Sequence, residues 1–300
     1  MNLIKPEKLK IGDTIGIIAP SGEVDFNKIL QSVEYFKQKG FKVKLGSHIK
    51  CNLSGYLAGS DQQRLEDLHN AFSDDEIKMI LCARGGYGAL RLVEKINYSI
   101  IKNHPKIFCG YSDVTVLNSV FYKKCGLLNF SAPMAQGDFS SEIDTFTEKH
   151  FFETLQTGRF SIKSNSPEKN FAPVEGVLFG GNLATLASLC GTDFIPDEKF
   201  ILFAEDIGEP AYKLDRYFTQ LFNIEKFREN ISAVVCGEFT GLDSLSDFDN
   251  FLSEIETKYN LPVVKGFSFG HCKTKATIPC GAFAKLTSDG IFAENFLLDD

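Results

Sequence analysis

Apolar and polar positions alternate with two different periods along the first half of the chain. Segments with apolar side chains at helical spacing occur at residues 25–40 and 60–72. Apolar runs of strand length lie before, between and after them, at residues 14–22, 41–46, 77–83 and 106–110. Repeated strand–helix units with largely apolar strands are typical of a parallel sheet covered by helices on both faces. The pattern therefore predicts an α/β fold in which ligands bind at the carboxyl ends of the strands.

The pattern changes after a polar stretch near the middle of the chain. Residues 158–173 carry two prolines and few apolar side chains, which is typical of an interdomain linker. Beyond it come further strand-like runs, an amphipathic helix after Pro210, and a tail of short alternating runs separated by glycines. We predict an N-terminal parallel-sheet α/β domain at residues 1–160, a linker at 161–172 and a smaller β-rich C-terminal domain at 173–300.

Composition narrows the class of partner. The 300 residues are 43% hydrophobic and 24% charged, with a net charge of −7. An acidic chain lacks the clustered cations that nucleic acids and anionic membranes require, so we expect a small-molecule substrate instead. Because no apolar run reaches the roughly 18 residues of a membrane span and no signal-peptide core is present, we expect a cytoplasmic protein. The eight cysteines form no C-x-x-C pair, which favours buried reduced thiols over a zinc site or a disulfide framework.

A serine at a strand-to-helix turn is the first candidate for chemistry. The run at residues 107–109 ends at Gly110, and Ser112 comes just before a helical segment. Such a turn lifts a hydroxyl above the end of the sheet and directs the first helix amides toward it, as a nucleophile requires. The alternative is structural: Gly110 makes the turn and Ser112 caps the helix.

The glycine-rich loop at residues 84–91 is the second candidate. Its glycines allow the backbone to approach a ligand closely and leave amide N–H groups free to bind an anion. It has neither the G-x-G-x-x-G of a dinucleotide site nor the G-K-[ST] of a phosphate loop. The loop is either a tight turn or part of an oxyanion hole, in which a second amide would come from Asp113.

A serine nucleophile needs a base and a carboxylate to orient that base. Of the five histidines, His271 follows Gly270 in a stretch rich in small residues, and it is the candidate base. Glu205, at the end of an apolar strand, is the candidate carboxylate. For His271 the alternative is a structural histidine. For Glu205 it is a strand-end acid that is exposed to water or caps the helix after Pro210. The other histidines stand among charged neighbours and are interpreted as solvated, at positions 48, 69, 104 and 150.

Taken together, these segments resemble the LD-carboxypeptidase family of serine peptidases, which includes murein tetrapeptide carboxypeptidases and microcin self-immunity proteins. The resemblance runs nearly end to end and rests on blocks in the family's order. They lie at residues 17–22, 56–72, 82–96, 110–119, 176–194, 201–221 and 261–271, the last followed by 276–286. One departure is Ser131, where many members have histidine before an Ala-Pro or Gly-Pro pair, and it leaves the substrate contacts of that region open.

The resemblance implies roles for the candidate residues. Ser112 would be the nucleophile, His271 the base and Glu205 its partner, with the serine on the first domain and the other two on the second. The oxyanion hole would combine the amides of Gly86 and Asp113. No metal or cofactor is implied, and the family suggests a homodimer. A carboxypeptidase must also bind a free carboxylate, and Arg84 is the cation closest in sequence to the site, although a strand-end arginine often pairs with a neighbouring acid.

The expected reaction is hydrolysis of an L,D-peptide bond that releases terminal D-alanine from a murein tetrapeptide during cell-wall recycling. One alternative keeps the same three residues but cleaves a peptide-nucleotide antibiotic, as the immunity proteins do. Another alternative is a non-catalytic protein that binds muropeptides, or a nucleotide-binding module that retains the fold. The missing dinucleotide motif argues against a dinucleotide enzyme.

Overall fold

The computed structural model describes residues 3–166 and 169–299. Within them, no helix is both long enough and apolar enough to cross a membrane. The strands, in chain order, are β1 (Thr14–Ile18), β2 (Lys42–Leu45), β3 (Ile77–Cys82), β4 (Ile107–Cys109), β5 (Asn129–Ser131), β6 (Arg159–Ile162), β7 (Val174–Asn182), β8 (Phe200–Ile207), β9 (Ile231–Thr240), β10 (Val263–Val264), β11 (Ile278–Cys280), β12 (Phe283–Thr287) and β13 (Gly290–Glu294). They form two sheets.

The first sheet has the order β11-β5-β4-β3-β1-β2. Strands β1 to β5 run parallel, which confirms the predicted parallel sheet, whereas β11 pairs antiparallel with β5. Its helices are α1 (Phe26–Gln38), α2 (Asp61–Ser73), α3 (Tyr98–Asn103), α4 (Thr115–Cys125), α5 (Ala135–Asp138) and α6 (Thr145–Thr157). Short 3-10 helices cover Ala89–Leu92 and Ser112–Val114. Helix α2 begins with a capping box between Ser60 and Gln63, which satisfies two amides at its start.

The second sheet has the order β10-β9-β8-β7-β12-β13-β6. Strands β7 to β10 are parallel, and the remaining three strands pair antiparallel. The helices of this part are α7 (Leu183–Ala187), α8 (Ala211–Phe222), α9 (Glu225–Asn230) and α10 (Leu245–Tyr259). The C-terminal part is therefore rich in strands, as expected, but half of its sheet is built from strand–helix units like the first part.

Two strands belong to the sheet that is built mainly from the other half of the sequence. Strand β6 belongs to the second sheet although it begins before the predicted linker at 161–172, and β11 belongs to the first sheet although it lies near the C-terminus. Residues 167 and 168 of that linker lie outside the described residues. The division into domains at 160 and 172 stays a prediction.

Helix α4 lies between the two sheets. Every side chain in it except Lys124 is buried, and the helix packs against β5 and β11 on one side and against β7 and α7 on the other. A helix covered on all sides needs no polar face, so its sequence lacks a single apolar stripe. Because Ser112 begins the 3-10 helix that leads into α4, the nucleophile candidate lies where the two sheets meet.

The burial of three cysteines agrees with the sequence prediction, whereas the burial of one histidine contradicts it. All eight cysteines are free, and Cys82, Cys109 and Cys236 are buried as expected. The sequence predicts a solvated His150, but only 8% of this residue is exposed. Its Nδ1 accepts a hydrogen bond from the Thr277 backbone N–H at 3.2 Å, and burial lowers the pKa of this imidazole. Thr277 lies far from His150 in sequence, and a local pattern does not reveal this contact.

Candidate active site

Ser112 occupies a strained turn at the carboxyl end of β4. Its φ of 64° lies in the left-handed region, which non-glycine residues rarely adopt. The turn is packed tightly against the glycine-rich loop after β3, since a Cβ atom on Gly85 would lie 2.7 Å from the Ser112 Cβ and 2.8 Å from its Oγ. This is the strand–turn–helix geometry in which a serine hydroxyl is held above the end of a sheet.

His271 and Glu205 come together with Ser112 in space. The His271 Nε2 lies 3.2 Å from the Ser112 Oγ, and its Nδ1 lies 2.7 Å from the Glu205 Oε2. The same carboxylate oxygen accepts a hydrogen bond from the His271 backbone N–H at 3.1 Å. A carboxylate at Nδ1 keeps the proton on that nitrogen and leaves Nε2 free to accept one from the serine.

Glu205 is buried at the end of β8, and 2% of it is exposed. Its other oxygen, Oε1, has no hydrogen-bond partner among the described residues. Gly270, with a φ of 96°, lets the chain turn closely over it, because a Cβ there would lie 2.5 Å from the Glu205 Cγ. The glycine before His271 is thus required for the approach of the imidazole to its carboxylate.

Two backbone amides near Ser112 are available to an anion. Neither the Gly86 nor the Asp113 N–H has an acceptor within residues 3–166 and 169–299. Gly86 has a φ of 110°, and the adjacent Gly85 runs so close that its Cβ would lie 3.3 Å from the Asp113 nitrogen. Free amides on adjoining segments beside a hydroxyl are the arrangement that stabilises an oxyanion.

The carboxylate of Asp113 joins the nucleophile turn to the glycine-rich loop. Its Oδ2 accepts a hydrogen bond from the Ala89 N–H at 2.9 Å, and burial raises the pKa of this carboxyl. From the other side the buried Arg64 donates to the carbonyl oxygens of Pro20 and Gly88 at 2.6 Å and 2.8 Å. The loops after β1, β3 and β4 are therefore held together by side chains behind the site.

Arg84 lies beside a cavity of about 600 Å³ next to the glycine-rich loop. Its Nη1 donates to the Glu23 carbonyl oxygen at 3.1 Å, and no carboxylate of the described residues forms an ion pair with it. The structural alternative, a strand-end arginine paired with a neighbouring acid, does not occur here. Gly86 and two half-exposed tyrosines, Tyr56 and Tyr87, also line this cavity.

Sequence reasoning missed the residues that flank His271. The ring of Tyr111 meets the His271 ring edge-on, with centroids 5.0 Å apart, and its hydroxyl accepts a hydrogen bond from the buried Lys275 at 3.1 Å. Lys275 pairs with Asp138 at 2.6 Å. Burial opposes this ammonium charge, but the Asp138 carboxylate outweighs it and raises the pKa of Lys275 to about 12. Tyr111 is adjacent to the serine, whereas nothing in the sequence marks Lys275.

In the part of the chain that the structure describes, no group of three or more His, Cys, Asp or Glu residues has the arrangement of a metal site. Ser131, the departure from the family pattern, lies at the end of β5 and pairs with Ile278 of β11.

The sequence matches two family models. Residues 15–132 match the LD-carboxypeptidase N-terminal domain, and residues 175–286 match the LD-carboxypeptidase C-terminal domain. The chain is 36% identical over 293 residues to a probable murein peptide carboxypeptidase of Bacillus subtilis, with 95% of this chain and 92% of that protein covered. It is 27% identical over 311 residues to the microcin C7 self-immunity protein of Escherichia coli, with 91% and 90% covered.

A solved structure supports the same relationship. The fold superimposes on the crystal structure of a muramoyltetrapeptide carboxypeptidase from Oxalobacter formigenes with a TM-score of 0.88. The two chains are 32% identical, and the match covers 95% of this chain and 100% of that one.

Proposed function

The chain belongs to the LD-carboxypeptidase family, and on that premise we propose that it is a serine carboxypeptidase acting on a murein tetrapeptide. It would hydrolyse the L,D-peptide bond and release the terminal D-alanine. The observation that carries the proposal is the chain of contacts from Ser112 through His271 to Glu205, at 3.2 Å and 2.7 Å. A hydroxyl beside an imidazole base, with a carboxylate that orients the imidazole from its other side, is suited to acyl transfer.

In the proposed mechanism, the Ser112 Oγ attacks the scissile carbonyl while the His271 Nε2 takes its proton. Glu205 holds the imidazole in position and stabilises the positive charge that develops on it. His271 then donates the proton to the leaving amine of D-alanine. Water, deprotonated by the same imidazole, hydrolyses the acyl-enzyme and restores the serine.

The amides of Gly86 and Asp113 would bind the oxyanion of each tetrahedral intermediate. Their lack of internal acceptors supports this role, because a free N–H is available for the charge that develops during the reaction. The close approach of Gly85 to Ser112 supports this role, because it brings the glycine-rich loop next to the attacking oxygen. The Arg84 guanidinium would bind a free carboxylate of the substrate.

A second candidate is cleavage of a peptide-nucleotide antibiotic. It is favoured by the 27% identity to the microcin C7 self-immunity protein over nine tenths of both chains. The same three residues would perform the reaction, and only the groups that line the substrate cleft would differ. The homodimer that the resemblance suggests is a further proposal, which sedimentation of the purified protein would test, and the cytoplasmic location remains a prediction.

The decisive experiment is incubation with L-Ala-γ-D-Glu-meso-diaminopimelate-D-Ala, with mass spectrometry to detect the loss of one alanine. We expect wild-type protein to release D-alanine, and Ser112→Ala to lose on the order of 10⁶ in turnover because the nucleophile is missing. If folded wild-type protein binds the peptide without releasing alanine, the carboxypeptidase proposal fails. Cleavage of an aminoacyl sulfamoyl nucleoside instead would favour the second candidate.

A further inference from the structure

The cavity beside the glycine-rich loop is lined by one cation, Arg84, and by two acids, Glu23 and Asp25, and Arg84 forms an ion pair with neither carboxylate. The Asp25 carboxylate is already engaged as the N-cap of α1. The Arg84 guanidinium forms no ion pair with any described residue. Glu23 also lines the cavity, and its carboxylate has no hydrogen-bond or ion-pair partner within residues 3–166 and 169–299. Half-buried charged groups without partners lose solvation that a ligand can replace, so the cavity suits a group carrying both a negative and a positive charge.

The cavity adjoins the nucleophile on the side of the proposed oxyanion hole. Gly86 lines it, and the residue before, Gly85, is in contact with Ser112. Consecutive Cα atoms are about 3.8 Å apart, so the part of the cavity wall formed by Gly86 lies next to the residue that contacts Ser112. The side chain nearest to the reacting carbonyl in any peptide substrate belongs to the residue that donates the acyl group. The cavity is therefore placed to receive that side chain.

In the proposed substrate the acyl residue is the third of the stem peptide. In meso-diaminopimelate the side chain ends in a carbon that carries both an ammonium and a carboxylate, roughly 6 Å from the scissile carbonyl at standard bond lengths. Lysine has the same carbon skeleton up to this point and the same ammonium, but it lacks the carboxylate. The two residues thus differ in one charged group, at the distance where the cavity offers Arg84.

We infer that this cavity is a specificity pocket for a zwitterionic third residue, in which Arg84 binds the side-chain carboxylate and Glu23 binds the ammonium. This inference rests on the proposed function and adds the selection of diaminopimelate peptides over lysine peptides. The cavity's volume of about 600 Å³ accommodates such a side chain. Tyr56 and Tyr87, whose ring centroids are 6.0 Å apart, form an apolar wall for its methylene groups.

The test compares the tetrapeptide containing meso-diaminopimelate with the same tetrapeptide containing L-lysine. For wild-type protein we expect kcat/KM to be about 30-fold higher with diaminopimelate, the range typical of a charge-assisted hydrogen bond. Arg84→Met should remove this preference by lowering kcat/KM for the diaminopimelate peptide alone. Glu23→Gln should lower kcat/KM about tenfold for both peptides, because both carry the ammonium.

Arg159→Met is the matched control. Arg159 is exposed on β6, and three strands separate β6 from the β8 strand that carries Glu205. This variant should keep the wild-type ratio. The inference is overturned if wild-type protein cleaves both peptides equally well. It is also overturned if Arg84→Met lowers both rates by the same factor, since Arg84 would then bind the terminal carboxylate common to both.

Affinity separates the inference from the proposed function. Both peptides are titrated into Ser112→Ala by calorimetry, which needs no turnover. If wild-type protein hydrolyses neither peptide, the proposed function fails, and a preference of about 30-fold in Kd for the diaminopimelate peptide still supports the pocket. Equal affinities, or no binding of either peptide, overturn it.

Discussion

At the Ser112 turn, the absence of a side chain on Gly85 decides whether the serine hydroxyl has room. A Cβ there would overlap both the Cβ and the Oγ of Ser112, at 2.7 Å and 2.8 Å. The φ of Gly85 is not in the left-handed region, so the requirement for glycine is steric and not conformational. The backbone of the glycine-rich loop therefore packs against the Ser112 side chain with no room for a Cβ atom at position 85.

Gly85→Ala should therefore disable the site while the fold is retained. The added methyl group displaces the hydroxyl or the loop by about 1 Å, and a shift of that size costs on the order of 10²-fold in turnover. The measurement is kcat for the diaminopimelate tetrapeptide, together with the thermal unfolding midpoint.

Gly137→Ala is the comparison for that variant. Gly137 lies in α5, and a Cβ there would meet nothing within 4 Å. Its kcat should match that of wild type, and its unfolding midpoint should stay the same or rise, because alanine favours a helix more than glycine does. Full activity of Gly85→Ala would mean that the loop can move away from Ser112 without loss of function.

At the scale of elements, strand β8 presents two adjacent carboxylates to opposite sides of the sheet. Glu205 faces His271, whereas Asp206 accepts hydrogen bonds from the Asn182 side chain and the Ala184 backbone N–H, both at 2.9 Å. The first carboxylate belongs to the site and the second secures the start of α7. The strand's alternation separates the proposed chemistry from structural support.

Exchanging each acid for its amide should separate these roles. Glu205→Gln should lower kcat by about 10³- to 10⁴-fold, because an amide neither selects the His271 tautomer nor stabilises its charge. The free energy of unfolding of Glu205→Gln should stay close to that of wild type. Steady-state kinetics and denaturant unfolding of the purified variant measure both quantities.

Asp206→Asn should give the opposite result. The amide nitrogen of the new side chain cannot accept a hydrogen bond, so one of the N–H donors around Asp206 would lose its acceptor. The free energy of unfolding should therefore fall by about 1–3 kcal/mol, while kcat remains close to the wild-type value. Comparable losses of kcat in the two variants would contradict the division of labour along β8.

At the scale of the whole molecule, the site and the stability both depend on contacts between distant segments. His150 in α6 accepts a hydrogen bond from the backbone N–H of Thr277, just before β11. The ring centroids of Phe146 and Phe160 lie 5.3 Å and 5.7 Å from the centroid of the His150 ring. Burial favours the neutral imidazole and lowers its pKa in the folded state. Folding therefore keeps a proton off this side chain.

This linkage predicts that the protein loses stability in mild acid. Since the folded pKa lies below the unfolded value of about 6.5, the contribution of His150 is fully present above that pH and is lost as the pH falls toward the folded pKa. From about pH 7.5 to about pH 5.5, wild type should lose roughly 1 kcal/mol more unfolding free energy than His150→Gln. Denaturant unfolding at both pH values measures the difference.

The titration of His69 does not affect the comparison of wild type with His150→Gln. Burial also lowers its pKa, but it is unchanged in both proteins and its contribution cancels. An equal pH dependence of the two proteins would show that His150 has the same proton affinity folded and unfolded.

Local patterns in the sequence predicted strands β1 to β4, helices α1, α2 and α8, and the choice of chemical groups, but they did not predict helices α6 and α10. The apolar runs predicted the parallel strands, and the glycine before each polar candidate marked the turns that carry Ser112 and His271. These signals are local because hydrophobic period and turn chemistry act over a few residues. The resemblance then assigned roles to residues that spacing alone had left open.

Tertiary structure decided what no stretch of sequence contains. Only folding brought His271 to within 3.2 Å of Ser112 across 159 positions, moved β6 and β11 into sheets away from their neighbours in sequence, and buried His150. It also left Arg84 and Glu23 unpaired in one cavity, where the sequence allowed either to pair with any neighbour. The physical reason is that burial, strand partners and ion pairing are set by which surfaces meet, and those surfaces come from segments far apart along the chain.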